Sequence, residues 1–183
     1  MFFVLNKQKI IAYGVSVLTV VFLFCIASGI NENKETIETS ANNQKLLPIY
    51  NVETTENKVA FTMNCAWNAD DIDSILETLR NNNTKITFFV VGEWVDKYPE
   101  AVKKMAEEGH EIASHSNTHP KVNNLSYEEN VKEIESSVEK IEKITGKKTN
   151  LYRPPYGEYN NTVISSAEDK GYKSIQWNLD TLD

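Results

Sequence analysis

A basic face is missing from this sequence. Its 183 residues carry 19 Lys and Arg against 26 Asp and Glu, a formal net charge of −7. That leaves no cationic footprint for a phosphate backbone and argues against nucleic acid as a partner. Cysteine is nearly absent too: Cys25 and Cys65 cannot build a disulfide framework. Cys25 falls in an apolar N-terminal stretch, so Cys65 stands alone, with core filler, metal ligand and reactive group all open to its thiol. No internal repeat is visible. What is present, 40% hydrophobic and 25% charged residues, is the composition of a globular chain, of a length for one domain with appendages.

Residues 10–30, "IIAYGVSVLTVVFLFCIASGI", contain no charge. As a helix the run rises about 31 Å, enough to cross a bilayer core. Lys7 and Lys9 precede it and Glu32, Glu35 and Glu38 follow, which predicts the N-terminus inside and the remainder outside. The expectation is a transmembrane anchor over residues 1–30 and a membrane-anchored, extracytoplasmic domain. The alternative is secretion after signal cleavage, for which "CIASGIN" offers only a weak site. Residues 31–57 are polar and lack a sustained apolar period, so they read as a stalk, with "LLPIY" docking on a domain of residues 58–183.

From residue 58 onward, strand and helix signals alternate. "VAFTM" and "KITFFVVG" are continuous apolar runs, as buried parallel strands require. "NADDIDSILETLRNNN" places Ile72, Ile75, Leu76 and Leu79 on one helical face, and "YPEAVKKMAEEG" has Pro near its start and Gly at its end. "SYEE" is a capping box at Ser126 that opens the longest helix, ending at Gly146. "HEIASHS", "NLYRPP" and "YKSIQWNL" are the remaining strands, and "NTVISSAEDKG" is the last helix. The pattern predicts a parallel α/β fold, open sheet or barrel.

In such folds chemistry gathers at the strand C-terminal ends. Those ends offer Asn64, Cys65 and Trp67, then Glu93 and Trp94, then His115 and His119. Arg153, Tyr156 and Gly157 come next, and last Trp177, Asn178, Asp180 and Asp183. "SHSNTHP" lets two imidazoles converge on one ion. His110 precedes its strand and reads as structural. Trp67, Trp94 and Trp177 either stack on a ligand or pack between elements.

"GHEIASHSNTHP", then "YRPPYG", then "WNLDTLD", with "TFFVVGEWVDKYPE" upstream, resemble the NodB-type polysaccharide deacetylases, carbohydrate esterase family four. The resemblance covers residues 58–183. With "CAW", the anchor and the stalk, it is most like the sporulation-associated deacetylases of endospore-forming bacteria. It implies a distorted (β/α) barrel that removes N-acetyl groups from amino sugars of a cell-wall polysaccharide such as peptidoglycan. It also implies a divalent metal, zinc being the expectation. Carried over, His115 and His119 match the metal histidines, Arg153 the residue orienting the base, and Tyr156 the tyrosine whose backbone N–H serves the oxyanion. Asp180 and Asp183 match the fourth motif; Trp67, Tyr156 and Trp177 are the expected substrate contacts.

The departures lie in the first motif and at the end. The family reads Thr-Phe-Asp-Asp-Gly, its first Asp the general base and its second a metal ligand. Here Asn64 stands in the base position and Cys65 in the metal position. An amide has no useful proton affinity, and losing a positioned base costs about 10²–10⁴ in rate. Cys65 either joins the two imidazoles as a thiolate or fills the core as a thiol. The chain stops within the fourth motif, before the family's Leu-x-His acid, so the barrel is expected to lack its last strands. The alternative to an enzyme is a catalytically inactive, glycan-binding remnant.

Overall fold

A computed structural model describes residues 15–21 and 44–181. The chain divides into two units, Met1–Asn43 and Gln44–Asp183. In the first, residues 15–21 are helical. No helix among the described residues is long and apolar enough to cross a membrane. The rest of the expected anchor, and the expected stalk up to residue 43, lie outside the described residues.

In the second unit, the described residues form a five-stranded parallel sheet in the order β1-β2-β3-β4-β5. The strands are β1 (Thr62–Cys65), β2 (Thr87–Val90), β3 (Glu111–Ser114), β4 (Leu151–Tyr152) and β5 (Lys173–Ser174). Between them run α1 (Ile72–Asn81), α2 (Gly92–Lys97), α3 (Pro99–Glu107), α4 (Tyr127–Thr145) and α5 (Asn161–Glu168). Each strand pairs with its sequence neighbour, as the alternating pattern predicts. After Thr87, β2 is wholly apolar, and Phe88, Phe89 and Val90 are fully buried, as a strand covered on both faces requires.

One core packs Leu76, Phe88, Val90, Trp94, Met105 and Ile141 together; a second joins Ile134, Val138, Tyr152, Val163 and Tyr172. α4 supplies both, through one apolar stripe. Ser126 and Glu129 close its capping box, and Gly146 ends it at φ 68°, a left-handed conformation that suits glycine.

Three features differ from the sequence pattern. β1 starts at Thr62, while Val59 and Phe61 before it are exposed; among the described residues β1 has a ladder partner on one side only. "GEWVDK" is a helix, α2, because Trp94 and Val95 turn into the core. Trp94 thus takes the packing alternative, with its Nε1–H donated to the Asn68 carbonyl at 3.0 Å.

The compact unit also begins before residue 58. Ile49 bridges Ile175 in parallel, donating its N–H to Ser174 O at 2.8 Å and accepting from Gln176 N at 2.8 Å. Leu46 N–H reaches Asn161 Oδ1 at 2.9 Å, and Tyr50 and Tyr159 join hydroxyls at 3.1 Å. "LLPIY" therefore docks as expected, and it covers the outer edge of β5 that would otherwise present unpaired backbone groups.

Candidate functional site

Arg153 is the hub of the strand-end rim. It follows β4, where Pro154 and Pro155 stop the ladder, and its side chain is 2% exposed. Nη1 donates to Asn64 Oδ1 at 3.0 Å, and Nη2 to Thr62 Oγ1 at 2.9 Å and to Gln176 O at 3.4 Å. The guanidinium carbon lies 3.9 Å over the Phe89 ring and 5.4 Å from the Trp177 ring centre. One cation thus ties β1 and β2 to the segment after β5. Its partners are neutral: no ion pair among the described residues includes it. Burial pulls Arg153 down to about 10, and its Nε is buried without a partner.

The Arg153 carbonyl accepts from His115 Nδ1 at 2.7 Å. A ring that donates from Nδ1 keeps its Nε2 lone pair for something else, the arrangement a ligating histidine needs. Burial holds His115 neutral down to about pH 3; the Arg153 carbonyl opposes that shift, and the His119 and Arg153 charges add to it. His119, half-buried, is lowered for the same first reason. The two imidazole centres stand 4.9 Å apart, edge to face. His119 also meets Tyr156 at 4.6 Å and Trp67 at 6.1 Å between ring centres.

Two neutral imidazoles, one of them oriented through its far nitrogen, suit a divalent cation as partial ligands. Among the described residues, no group of three or more His, Cys, Asp or Glu side chains gathers to complete the set. Cys65 lies apart. Successive strand residues face opposite ways, so Thr62 and Asn64 reach Arg153 while Met63 and Cys65 pack into the first core. Cys65 is 4% exposed, and burial, with the Asp71 charge adding, pushes its thiol up to about 12.

The turns that carry these groups are strained. Ser116, His119 and Tyr156 have φ of 64°, 57° and 59°, left-handed values that cost a non-glycine residue about 1–3 kcal/mol each. Gly157 is left-handed as well, and a Cβ there would come within 3.0 Å of the Trp177 ring.

A cleft of about 590 Å³ opens beside Arg153, lined by Thr62, Asn64, Trp67, Trp177 and Asp180 among others. Trp67 and Tyr156 are largely exposed, and Trp177 donates its Nε1–H to Asp180 Oδ2 at 3.1 Å. Asp183 lies outside the described residues. His110 sits at the opposite end of β3, accepting the Ile86 N–H and edge-on to Phe88, a packing role.

Some residues gave no signal in sequence. Thr62, Phe89 and Gln176 reach Arg153 through strand register, with Asn64 level with Phe89. Glu133, in the middle of α4, accepts hydrogen bonds from the loop between the two histidines. An acid on a helix carries no mark of such a tertiary contact.

Comparison with known proteins identifies the family of this fold. Residues 51–175 match the family described as polysaccharide deacetylase. A peptidoglycan-N-acetylmuramic acid deacetylase, PdaA of Bacillus subtilis, is 31% identical over 76% of this chain and 54% of its own length. A peptidoglycan-N-acetylglucosamine deacetylase of Bacillus cereus is 32% identical over 69% of this chain and 46% of its own. Among solved structures, a CE4 family pseudoenzyme from Bacillus anthracis superposes with a TM-score of 0.72 at 32% identity, covering 75% of this chain and 49% of that one. A mutant of that pseudoenzyme is described as having restored enzymatic activity. The chain thus spans about half the length of the relatives it matches. Because the matched span runs from β1 through β5 and takes in both histidines, Asn64, Arg153 and Tyr156, the chain belongs to the polysaccharide deacetylase family.

Proposed function

We propose that this domain acts on N-acetylated amino sugars of a cell-wall polysaccharide such as peptidoglycan, as a metal-dependent N-deacetylase. A membrane anchor in the N-terminal apolar segment, an extracytoplasmic location and a sporulation setting are parts of the same reading. The observation that carries it is the contact chain from His115 through Arg153 to Asn64, which brings three separate sequence motifs to one rim.

His115 and His119 would hold the ion, with zinc the proposed metal; a divalent ion there supplies Lewis-acid polarisation of water and carbonyl. Arg153 fixes the side chain at position 64. The Tyr156 backbone N–H is the proposed oxyanion donor. Trp67, Trp177 and the Tyr156 ring offer apolar faces for sugar rings, and Asp180 orients Trp177.

A second reading is favoured by one observation. The Asn64 amide takes a bond from Arg153 but cannot take a proton from water, so the same rim binds glycan without turning it over. The experiment is acetate release from N-acetylglucosamine oligomers by the full chain, with zinc and with chelator, alongside glycan binding. Zinc-dependent release supports the enzyme. Binding without release supports the second reading, and neither activity in folded protein defeats both.

A further inference from the structure

The loop that joins the two histidines is gripped from both sides. On one side, the Gly92 and Glu93 amides at the start of α2 donate to Ser116 O and Asn117 O, each at 2.9 Å. Gly92 allows that approach: a Cβ there would stand 2.4 Å from Asn117 Oδ1 and 3.1 Å from Asn117 Cα. On the other side stands Glu133. Its Oε2 accepts the Asn117 and Thr118 N–H groups, each at 2.9 Å, and its Oε1 accepts the Thr118 hydroxyl at 3.1 Å. Two successive amides aimed at one oxygen form an anion-binding concavity, here filled by the protein's own carboxylate.

That grip is placed where it matters. Ser116 and His119, at either end of the gripped pair, hold left-handed φ angles that persist only when their surroundings over-determine them. Glu133 stands on a rigid element, since its neighbour Ile134 is fully buried in the core of α4. We propose that Glu133 is a positioning residue: its carboxylate fixes the Ser116–His119 turn and so sets His119 against His115. The inference rests on the reading of those histidines as metal ligands. It assigns the effect to reach and acceptor geometry, not to charge. Glutamine keeps an acceptor oxygen for both amides and offers its NH₂ to Thr118 Oγ1; aspartate keeps the charge but is one methylene too short.

The test compares full-chain wild type with Glu133→Gln, Glu133→Asp and Glu133→Ala. In metal-free protein, nuclear magnetic resonance reads the ring-to-ring contact of His115 and His119 and the hydrogen exchange of the Asn117 and Thr118 amides. Calorimetry reads zinc affinity. Glu133→Gln is expected to keep the ring contact, the amide protection and a zinc Kd within about threefold. Glu133→Asp and Glu133→Ala are expected to lose the contact and the protection and to weaken zinc by about 10–100-fold, the range for partners that orient ligands. Wild-type behaviour in all three variants overturns the proposal. So does failure of Glu133→Gln with retention by Glu133→Asp, which would mean charge decides. If wild type binds no zinc, the metal reading falls, and the ring contact and amide exchange still decide the role of Glu133. If Glu133→Ala does not fold, the other two variants carry the comparison.

Discussion

Asn64→Asp is the sharpest perturbation of this site. Arg153 is 2% exposed and hydrogen-bonded to neutral acceptors, one of them Asn64 Oδ1 at 3.0 Å. The substitution replaces that amide oxygen with a carboxylate of nearly the same shape. A hydrogen bond to a charged group contributes about 1.5–3 kcal/mol against about 0.5–1.5 for a neutral one. Asn64 is exposed to the cleft, so the carboxylate keeps much of its water and solvent screens part of the attraction. The net gain is about 1 kcal/mol, a rise in Tm of about 2–4 °C for a chain of this size.

The sign with pH follows from the neighbour. Arg153 depresses the folded pKa of the new carboxylate below its unfolded value of about 3.9. The added stability is therefore complete above that unfolded value and is lost as pH falls through the folded one. Thermal melts of both proteins at neutral pH and near pH 2 measure it. Acetate release with zinc, measured in parallel, should rise by about 10²–10⁴, the worth of a positioned base. No gain in Tm at neutral pH, or a gain that survives at pH 2, would refute the pairing. A stabilised variant with unchanged acetate release would remove position 64 from the chemistry.

Other outcomes follow from the same geometry. Burial holds His115 neutral to about pH 3, whereas the unfolded chain takes up that proton near pH 6.5. Metal-free protein in chelator should therefore lose stability as pH falls from about 6.5, by up to about 1.4 kcal/mol per unit for this group, and His115→Asn should flatten the slope in denaturant titrations. Cys65, buried with its thiol pushed up to about 12, should resist disulfide reagents at pH 8 until the protein unfolds; rapid native labelling would place it at the surface. Gly92→Ala should cost about 1–3 kcal/mol by crowding Asn117, read as a lower denaturant midpoint. Ile49→Pro removes the N–H given to Ser174 O, so it should cost about 1 kcal/mol and speed exchange of the Gln176 amide.

The elements legible in sequence are those whose cause is local. α4 announces itself through the Ser126–Glu129 box, its apolar stripe and Gly146. β2 does so through a run that only a doubly covered strand tolerates. α2 was hidden because its N-cap, Val91, makes no side-chain cap; the helix forms because Trp94 and Val95 bury themselves against other elements. The same division runs through the site. His115 and His119 share one short segment and Arg153 follows a strand, so strand-end placement puts them among the rim candidates and the family resemblance assigns their roles. Glu133 meets the histidine loop, and Phe89 lies under Arg153, only after strands and helices have packed.

Position 64 separates two tasks that a carboxylate there would perform together. One is to hold Arg153, and the amide does that, aided by Thr62, Gln176 O and the Phe89 face. The other is to accept a proton, which the amide cannot do. Replacing a charged partner usually strands the opposite charge in the interior, at a cost of about 3–5 kcal/mol. Here the stranding is softened, because Arg153 spreads its donors over three neutral oxygens and lays its guanidinium on an aromatic ring. The frame that joins β1, β2 and the segment after β5 therefore does not depend on a base being present. A chain built this way keeps its histidine pair and its aromatic rim whether or not it turns over substrate, so folding and ligand binding alone cannot distinguish an enzyme from a binding module. Only the fate of the acetyl group can.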